Sequence, residues 1–159
     1  VSYVREVAAS GAYYSISPSS QIIANRGSMI GSIGVIMQGF DATELVKFFK
    51  VNSFTIKTGA LKDTGSPLRP MTKEDKNYLQ SMINATHDQF VADVKRARSS
   101  MTKDGFDLLA DGRVVLATQA QKIHMIDALG SKDSAISNLQ KLIKSDSKPD
   151  VFYYEKMLF

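Results

Sequence analysis

Apolar residues come in short runs near the start of the chain and settle into a three- and four-residue rhythm beyond residue 70. Residues 1–7 read as a strand, and residues 10 to about 17 as a short helix that Pro18 ends. Residues 21–24 predict a short strand before an Asn25-Arg26-Gly27 turn, and residues 33–37 predict a second buried strand. Asp41-Ala42-Thr43-Glu44 has capping-box spacing and opens a helix to about Phe49. Residues 53–57 alternate as a strand, and residues 58–71 form a loop rich in Gly, Ser and Pro that includes Pro67 and Pro70. The longest helix is expected from Thr72 to about Ser100, with Tyr78, Leu79, Met82, Ile83, Phe90, Val91 and Val94 on one apolar stripe. At ~1.5 Å per residue it is about 40 Å long, a length that often packs against a neighbouring subunit. A helical turn at 106–109, a strand within 112–116, a helix at 118–124 and a helix at 131–144 complete the pattern. Strands alternating with helices predict an α/β fold.

Within this frame, Val7-Ala8-Ala9-Ser10-Gly11-Ala12-Tyr13-Tyr14 places a serine between small residues where a strand gives way to a helix. Such a turn lifts a hydroxyl and leaves backbone N–H groups beside it, which is what a nucleophile that attacks a carbonyl needs. The same small residues would also permit close helix–strand packing. Downstream lie Gly31-Ser32-Ile33-Gly34-Val35 and Lys57-Thr58-Gly59-Ala60-Leu61-Lys62-Asp63, followed by Ser66-Pro67. Asp111-Gly112-Arg113-Val114-Val115 and Ile126-Asp127-Ala128-Leu129-Gly130 come later. In this order, from residue 1 to about 140, the blocks resemble the signal peptide peptidase A (protease IV) family of serine–lysine proteases, within the Clp-protease/crotonase fold superfamily.

A serine hydroxyl needs a base to attack at neutral pH. The chain has two histidines, His87 inside the long helix and His124 before Met125-Ile126-Asp127, and both read as structural or solvated. An ordinary lysine is protonated at pH 7, so a lysine base must be buried and kept from carboxylates. The resemblance implies Ser10 as nucleophile, Lys62 as general base and Ser32 as the hydroxyl that holds the lysine amine. Lys57, at the end of the 53–57 segment, is the competing lysine and reads more simply as a solvent-facing one. Gly31-Ser32-Ile33-Gly34 also reads as no more than a tight turn into a buried strand. Asp63 adjoins Lys62 and is expected to point away from it. Gly11 supplies one oxyanion-hole N–H, and the family's second donor comes from a glycine-rich turn ahead of the matched blocks. The expectation is therefore a Clp-protease/crotonase-like partial domain lacking its N-terminal portion. Loss of one donor typically costs ~10²–10³ in rate, so this portion alone is expected to be impaired.

Composition narrows the alternatives. The chain has 159 residues, 43% hydrophobic and 23% charged, enough for one domain with a core. The net charge is +4, but its basic residues are scattered, which points away from nucleic acid. With no cysteine, disulfides, thiolate metal sites and cysteine nucleophiles are excluded. No cofactor or metal is implied. Residues 1–144 are read as the C-terminal portion of a peptidase catalytic domain, and 145–159 as a linker with an apolar tail. That tail is expected to pack on its own core, or to dock on a neighbour or in a peptide groove. The resemblance implies apolar peptide substrates, namely signal-peptide remnants, a homo-oligomer, and membrane association through the missing N-terminal region. It places the catalytic domain on the extracytoplasmic side of the cell membrane. Alternatives are a capsid-maturation-type peptidase with related motifs and a non-catalytic oligomerisation scaffold of the same fold. A crotonase-like coenzyme A enzyme fits the serine and lysine blocks less well.

Overall fold

The structure, a computed structural model, describes residues 1–109, 111–147 and 149–152. Among the described residues, twelve elements follow in chain order: β1 Ser2–Val4, β2 Val7–Ala9, α1 Gly11–Ile16, β3 Ile22–Ala24, β4 Met29–Gly31, α2 Thr43–Phe48, α3 Lys73–Ala97, α4 Lys103–Leu109, β5 Val114–Leu116, α5 Ala117–Lys122, β6 Ala128–Leu129 and α6 Lys132–Ile143. The chain is thus a mixed α/β protein. It divides into two compact units, the first Val1–Gly34 with Phe90–Phe159 and the second Val35–Gln89.

The first unit holds two three-stranded sheets. One has the order β1-β3-β6 and is parallel throughout, with Tyr3 opposite Ile23 and Ile23 opposite Ala128. The other has the order β2-β4-β5, in which β2 and β4 are parallel and β4 and β5 antiparallel. The single strand expected over residues 1–7 is therefore two strands in two sheets. The change of sheet falls at Arg5 and Glu6, both exposed and paired with each other at 2.9 Å, and the Glu6 carbonyl already accepts the Met29 N–H of the second sheet at 2.8 Å. Ile22, Ile30, Ile33, Val94, Met125 and Ile126 fill the core, each at most 2% exposed. Burying side chains of this size contributes ~1.5–3 kcal/mol apiece.

Asp127 joins the first sheet to its surroundings. Its carboxylate accepts the Ile22 N–H at 2.6 Å, and its own N–H donates to the Ile22 carbonyl at 2.9 Å, which extends the β3–β6 pairing by one step. The buried Arg98 guanidinium donates to the other Asp127 oxygen at 2.8 Å. Gly130 follows because a side chain there would strike Ser134 and Ile23 within about 3 Å. The aspartate and glycine of this block are thus architectural. Helix α6 opens on Ser131, whose hydroxyl accepts the Ser134 N–H while the Ser134 hydroxyl accepts the Ser131 N–H.

In the second unit, α2 starts at Thr43 with Ala42 as its N-cap, and Asp41 accepts the Thr43 N–H at 2.9 Å instead of forming the expected box with Glu44. Helix α3 starts where expected. The Asp75 N–H donates to the Thr72 hydroxyl at 3.1 Å, and the Thr72 N–H donates to the Asp75 carboxylate at 2.9 Å. Its stripe divides. Phe90 and Val94 are buried in the first unit, whereas Tyr78 and Met82 are exposed in the second. The strands expected at 33–37 and 53–57 do not form. The actual strand is β4, just upstream of Ile33, and Phe54 and Ile56 are 86% and 93% exposed. Alternation alone does not make a strand when no partner pairs with it. The tail reading falls largely outside the described residues, which end at Phe152.

Candidate active site

Ser10 sits at the C-terminal end of β2 and is the N-cap of α1. Its backbone takes φ 52° and ψ −124°, a combination that a side-chain-bearing residue rarely adopts. The strain is held on both sides: the Ser10 N–H donates to the Gly31 carbonyl at 2.8 Å, and the Ser10 carbonyl accepts the Tyr14 N–H at 2.9 Å. Small neighbours permit the turn, with Ala8 buried and Ala9 half-buried in β2 and Gly11 exposed at the start of the helix. The Ser10 hydroxyl does not cap its own helix, although serine at an N-cap commonly does. Among the described residues it has no hydrogen-bond partner, and it is half-buried. A strained strand-to-helix turn that presents an uncommitted serine is the geometry of a nucleophile elbow. The first N–H groups of a helix have no partner within it, and Gly11 carries the first of them.

Helix α1 is anchored from beneath. Tyr13 is fully buried and donates its hydroxyl to the Met125 carbonyl at 2.8 Å. Burial pushes its phenol above the ordinary range, despite the attraction of Arg98. Tyr14 packs edge-on to Phe90, with ring centroids 4.9 Å apart, and donates to Asp93 at 2.5 Å. The turn carrying Ser10 is therefore braced against the end of α3 that lies in its own unit.

Ser32 follows β4 as Ser10 follows β2. Ala9 and Gly31 are register partners in the parallel pair, so the two serines leave neighbouring strands at the same end. Ser32 is half-buried with φ 53°, and its N–H donates to the Arg113 carbonyl at 2.8 Å. Gly31 before it has φ +119°, and an added Cβ would sit 2.8 Å from the Arg113 carbonyl oxygen. The Asp111-Gly112-Arg113 block supplies that carbonyl. The Asp111 carboxylate accepts the Arg113 N–H at 3.0 Å and its Nε–H at 2.6 Å, and the Arg113 bonds hold the Asp111 carboxyl below the usual range. Sequence reasoning named this block without giving it a role. The glycine between an acid and a base, next to a strand, was the signal for a braced turn.

Lys62 lies in the second unit, and its side chain is exposed. Among the described residues no carboxylate pairs with it, even though Asp63 is its neighbour in sequence. Asp63 instead accepts Lys57 Nζ at 2.7 Å and an Arg69 N–H at 2.8 Å. The Arg69 and Lys57 bonds hold its carboxyl well below the usual range. Lys57 also donates to the Ala60 carbonyl at 2.7 Å. It is exposed, as expected, but no strand precedes it, and its ammonium pairs with Asp63. Ser10, Gly11 and Ser32 thus belong to one unit and Lys62 to the other. His87 is half-buried on α3, and His124 is exposed with φ 62°, a backbone that a glycine would hold without strain. Among the described residues no group of acids and histidines is arranged to hold a metal.

Residues 1–146 match peptidase family S49. A protein from Methanocaldococcus jannaschii named as a protease is 40% identical over 154 residues, covering 97% of this chain and 49% of that relative. A protein from Enterococcus faecium named as the signal peptide peptidase SppA is 34% identical over 137 residues, covering 86% of this chain and 40% of its own length. Protease 4 of Haemophilus influenzae is 29% identical over 137 residues, covering 86% and 22%. The chain spans about half or less of the length of these curated relatives. With the family match running through every block quoted from the sequence, the chain belongs to peptidase family S49, the family of signal peptide peptidase A and protease 4.

Proposed function

We propose that this chain carries the catalytic residues of a serine–lysine endopeptidase, with Ser10 as nucleophile, Lys62 as general base and Ser32 orienting the lysine amine. The observation that carries the proposal is the strained, uncommitted Ser10 at the strand-to-helix turn, beside Ser32 at the end of the paired strand. Lys62 takes the Ser10 proton as the hydroxyl attacks the peptide carbonyl and forms the Oγ–C bond. The Gly11 N–H donates to the developing oxyanion. Collapse of the tetrahedral intermediate breaks the C–N bond, and the lysine ammonium returns the proton to the departing amine. Water, deprotonated by the same lysine, then attacks the acyl carbonyl, the Oγ–C bond breaks, and the lysine returns the proton to the Ser10 oxygen. An exposed Lys62 must be desolvated in the working enzyme, a role suited to an apolar substrate that covers it.

The domain is assigned to the Clp-protease/crotonase type, and the second oxyanion donor to sequence ahead of the matched blocks. The substrates proposed are apolar, membrane-associated signal-peptide remnants, cleaved at the extracytoplasmic face of the cell membrane. No described helix of this chain is long and apolar enough to cross a membrane. The proposed homo-oligomer draws support from the second unit, where Phe48, Phe49, Phe54 and Ile56 are all exposed. In the complete protein, Ser10→Ala and Lys62→Ala should each abolish cleavage of an apolar fluorogenic peptide with folding unchanged. Cleavage retained by either variant rejects the dyad.

A further inference from the structure

The stretch around Lys62 is held by an ion network that the proposed chemistry does not use. Successive turn bonds run from the Lys62 N–H to the Gly59 carbonyl, from Thr64 to Leu61 and from Ser66 to Asp63, at 3.2, 3.2 and 3.0 Å. Two residues beyond the lysine, the Thr64 hydroxyl donates to Asp75 on α3 at 2.6 Å. Asp75, whose side chain is 1% exposed, also accepts from the Thr72 N–H and hydroxyl. It receives both terminal nitrogens of Arg69, at 2.5 and 2.9 Å. One of these nitrogens, Nη2, also reaches Asp63 at 2.8 Å, while Lys57 holds the same Asp63 oxygen from the other side at 2.7 Å.

Burying an ion pair is weakly stabilising at best, and an apolar pair of similar volume often does as well, whereas a hydrogen-bonded pair fixes geometry. What the network fixes is the carboxylate adjoining Lys62. A free Asp63, next to the lysine in sequence, would be able to pair with its amine and favour the protonated form. The other charges facing the loop are Glu74 and Asp75 of α3, which with Lys57 and Arg69 line a cavity of about 480 Å³. Asp75 is fully engaged by Arg69, Thr64 and Thr72.

We propose that Arg69, seated on Asp75 and assisted by Lys57, is a positioning residue for Lys62, drawing the Asp63 carboxylate away and pinning the 60–64 turn so that the amine meets no acidic partner. This inference rests on the reading of Lys62 as the base. Both are tested by the pH profile of kcat/KM in the complete protein with an apolar fluorogenic peptide. Arg69→Met is expected to move the acid limb toward higher pH by about one unit, which is tenfold in rate below the limb. Adding Asp63→Asn to Arg69→Met should return the limb to its original pH. Lys57→Met, which leaves the Asp75 bonds intact, should move the limb in the same direction by less, and it carries the test if Arg69→Met does not fold. Uniform loss of activity at every pH in both single variants, or a limb shift that persists with Asp63→Asn, overturns the positioning role. If that happens while Lys62→Ala is inactive, the base reading stands alone. If Lys62→Ala remains active, the base reading falls and the positioning role falls with it.

Discussion

Gly31→Ala and Gly11→Ala make the same chemical change on either side of the candidate nucleophile's turn, and the structure predicts opposite outcomes. At Gly31 the backbone has φ +119°, and the new Cβ would lie 2.8 Å from the Arg113 carbonyl oxygen. Backbone rather than a flexible side chain stands in the way, so β4 and β5 must separate. Holding alanine at such a φ costs about 1–3 kcal/mol. Displacing the Arg113 carbonyl also weakens the bond it accepts from the Ser32 N–H, worth ~0.5–1.5 kcal/mol. Together the loss is about 1.5–4.5 kcal/mol. At Gly11 nothing lies within 4 Å of the added Cβ, and the residue is helical. Alanine there should change stability by less than about 1 kcal/mol, toward greater stability, and it keeps the backbone N–H. Urea unfolding followed by far-UV circular dichroism measures both. At a slope of ~2 kcal/mol per molar, Gly31→Ala should lower the midpoint by about 1–2 M. An unchanged midpoint for Gly31→Ala, or a fall for Gly11→Ala as large as that for Gly31→Ala, would refute this account of the turn.

Two further outcomes are expected. Tyr13→Phe removes the donor to the Met125 carbonyl in a fully buried setting and should cost about 1–2 kcal/mol, seen as a fall in melting temperature of about 2–8 °C. The Asp75 and Asp63 carboxyls are held below their unfolded values, chiefly by Arg69, so their stabilisation is full above the ordinary carboxylate range near pH 4 and is lost as pH falls below it. Urea midpoints at pH 6 and pH 3 should therefore differ more for the parent protein than for Asp75→Asn, and equal differences would remove the network from the acid response.

The sequence is most legible where one residue dictates its own surroundings. Ser10 between alanines and glycine marked its strand-to-helix turn, and Thr72 with Asp75 marked the start of α3. It is least legible where an element depends on a partner. The alternation at 53–57 is sound as a pattern, yet nothing pairs with it and its Phe and Ile remain exposed. Residues 1–7 carry the apolar run of one strand, but which sheet each half joins depends on Ile22 and Met29 far along the chain. β6 is two residues long and too short to have a period. In the candidate site, the small residues around Ser10 pointed to its turn, whereas Ser32 and Lys62 were implied by the family resemblance of their blocks. The Arg113 carbonyl that holds Ser32 and the Arg69–Asp75 pair behind Lys62 were not legible. A carbonyl carries no residue-type signature, and ion pairs six residues apart across a loop have no fixed spacing.

The most direct test of the central claim is covalent labelling of the complete protein with an apolar peptidyl fluorophosphonate, followed by peptide mass spectrometry. The account predicts one adduct, on Ser10, absent in Ser10→Ala and formed far more slowly in Lys62→Ala. An adduct on a different serine that abolishes peptide cleavage while Ser10 stays unmodified would contradict it.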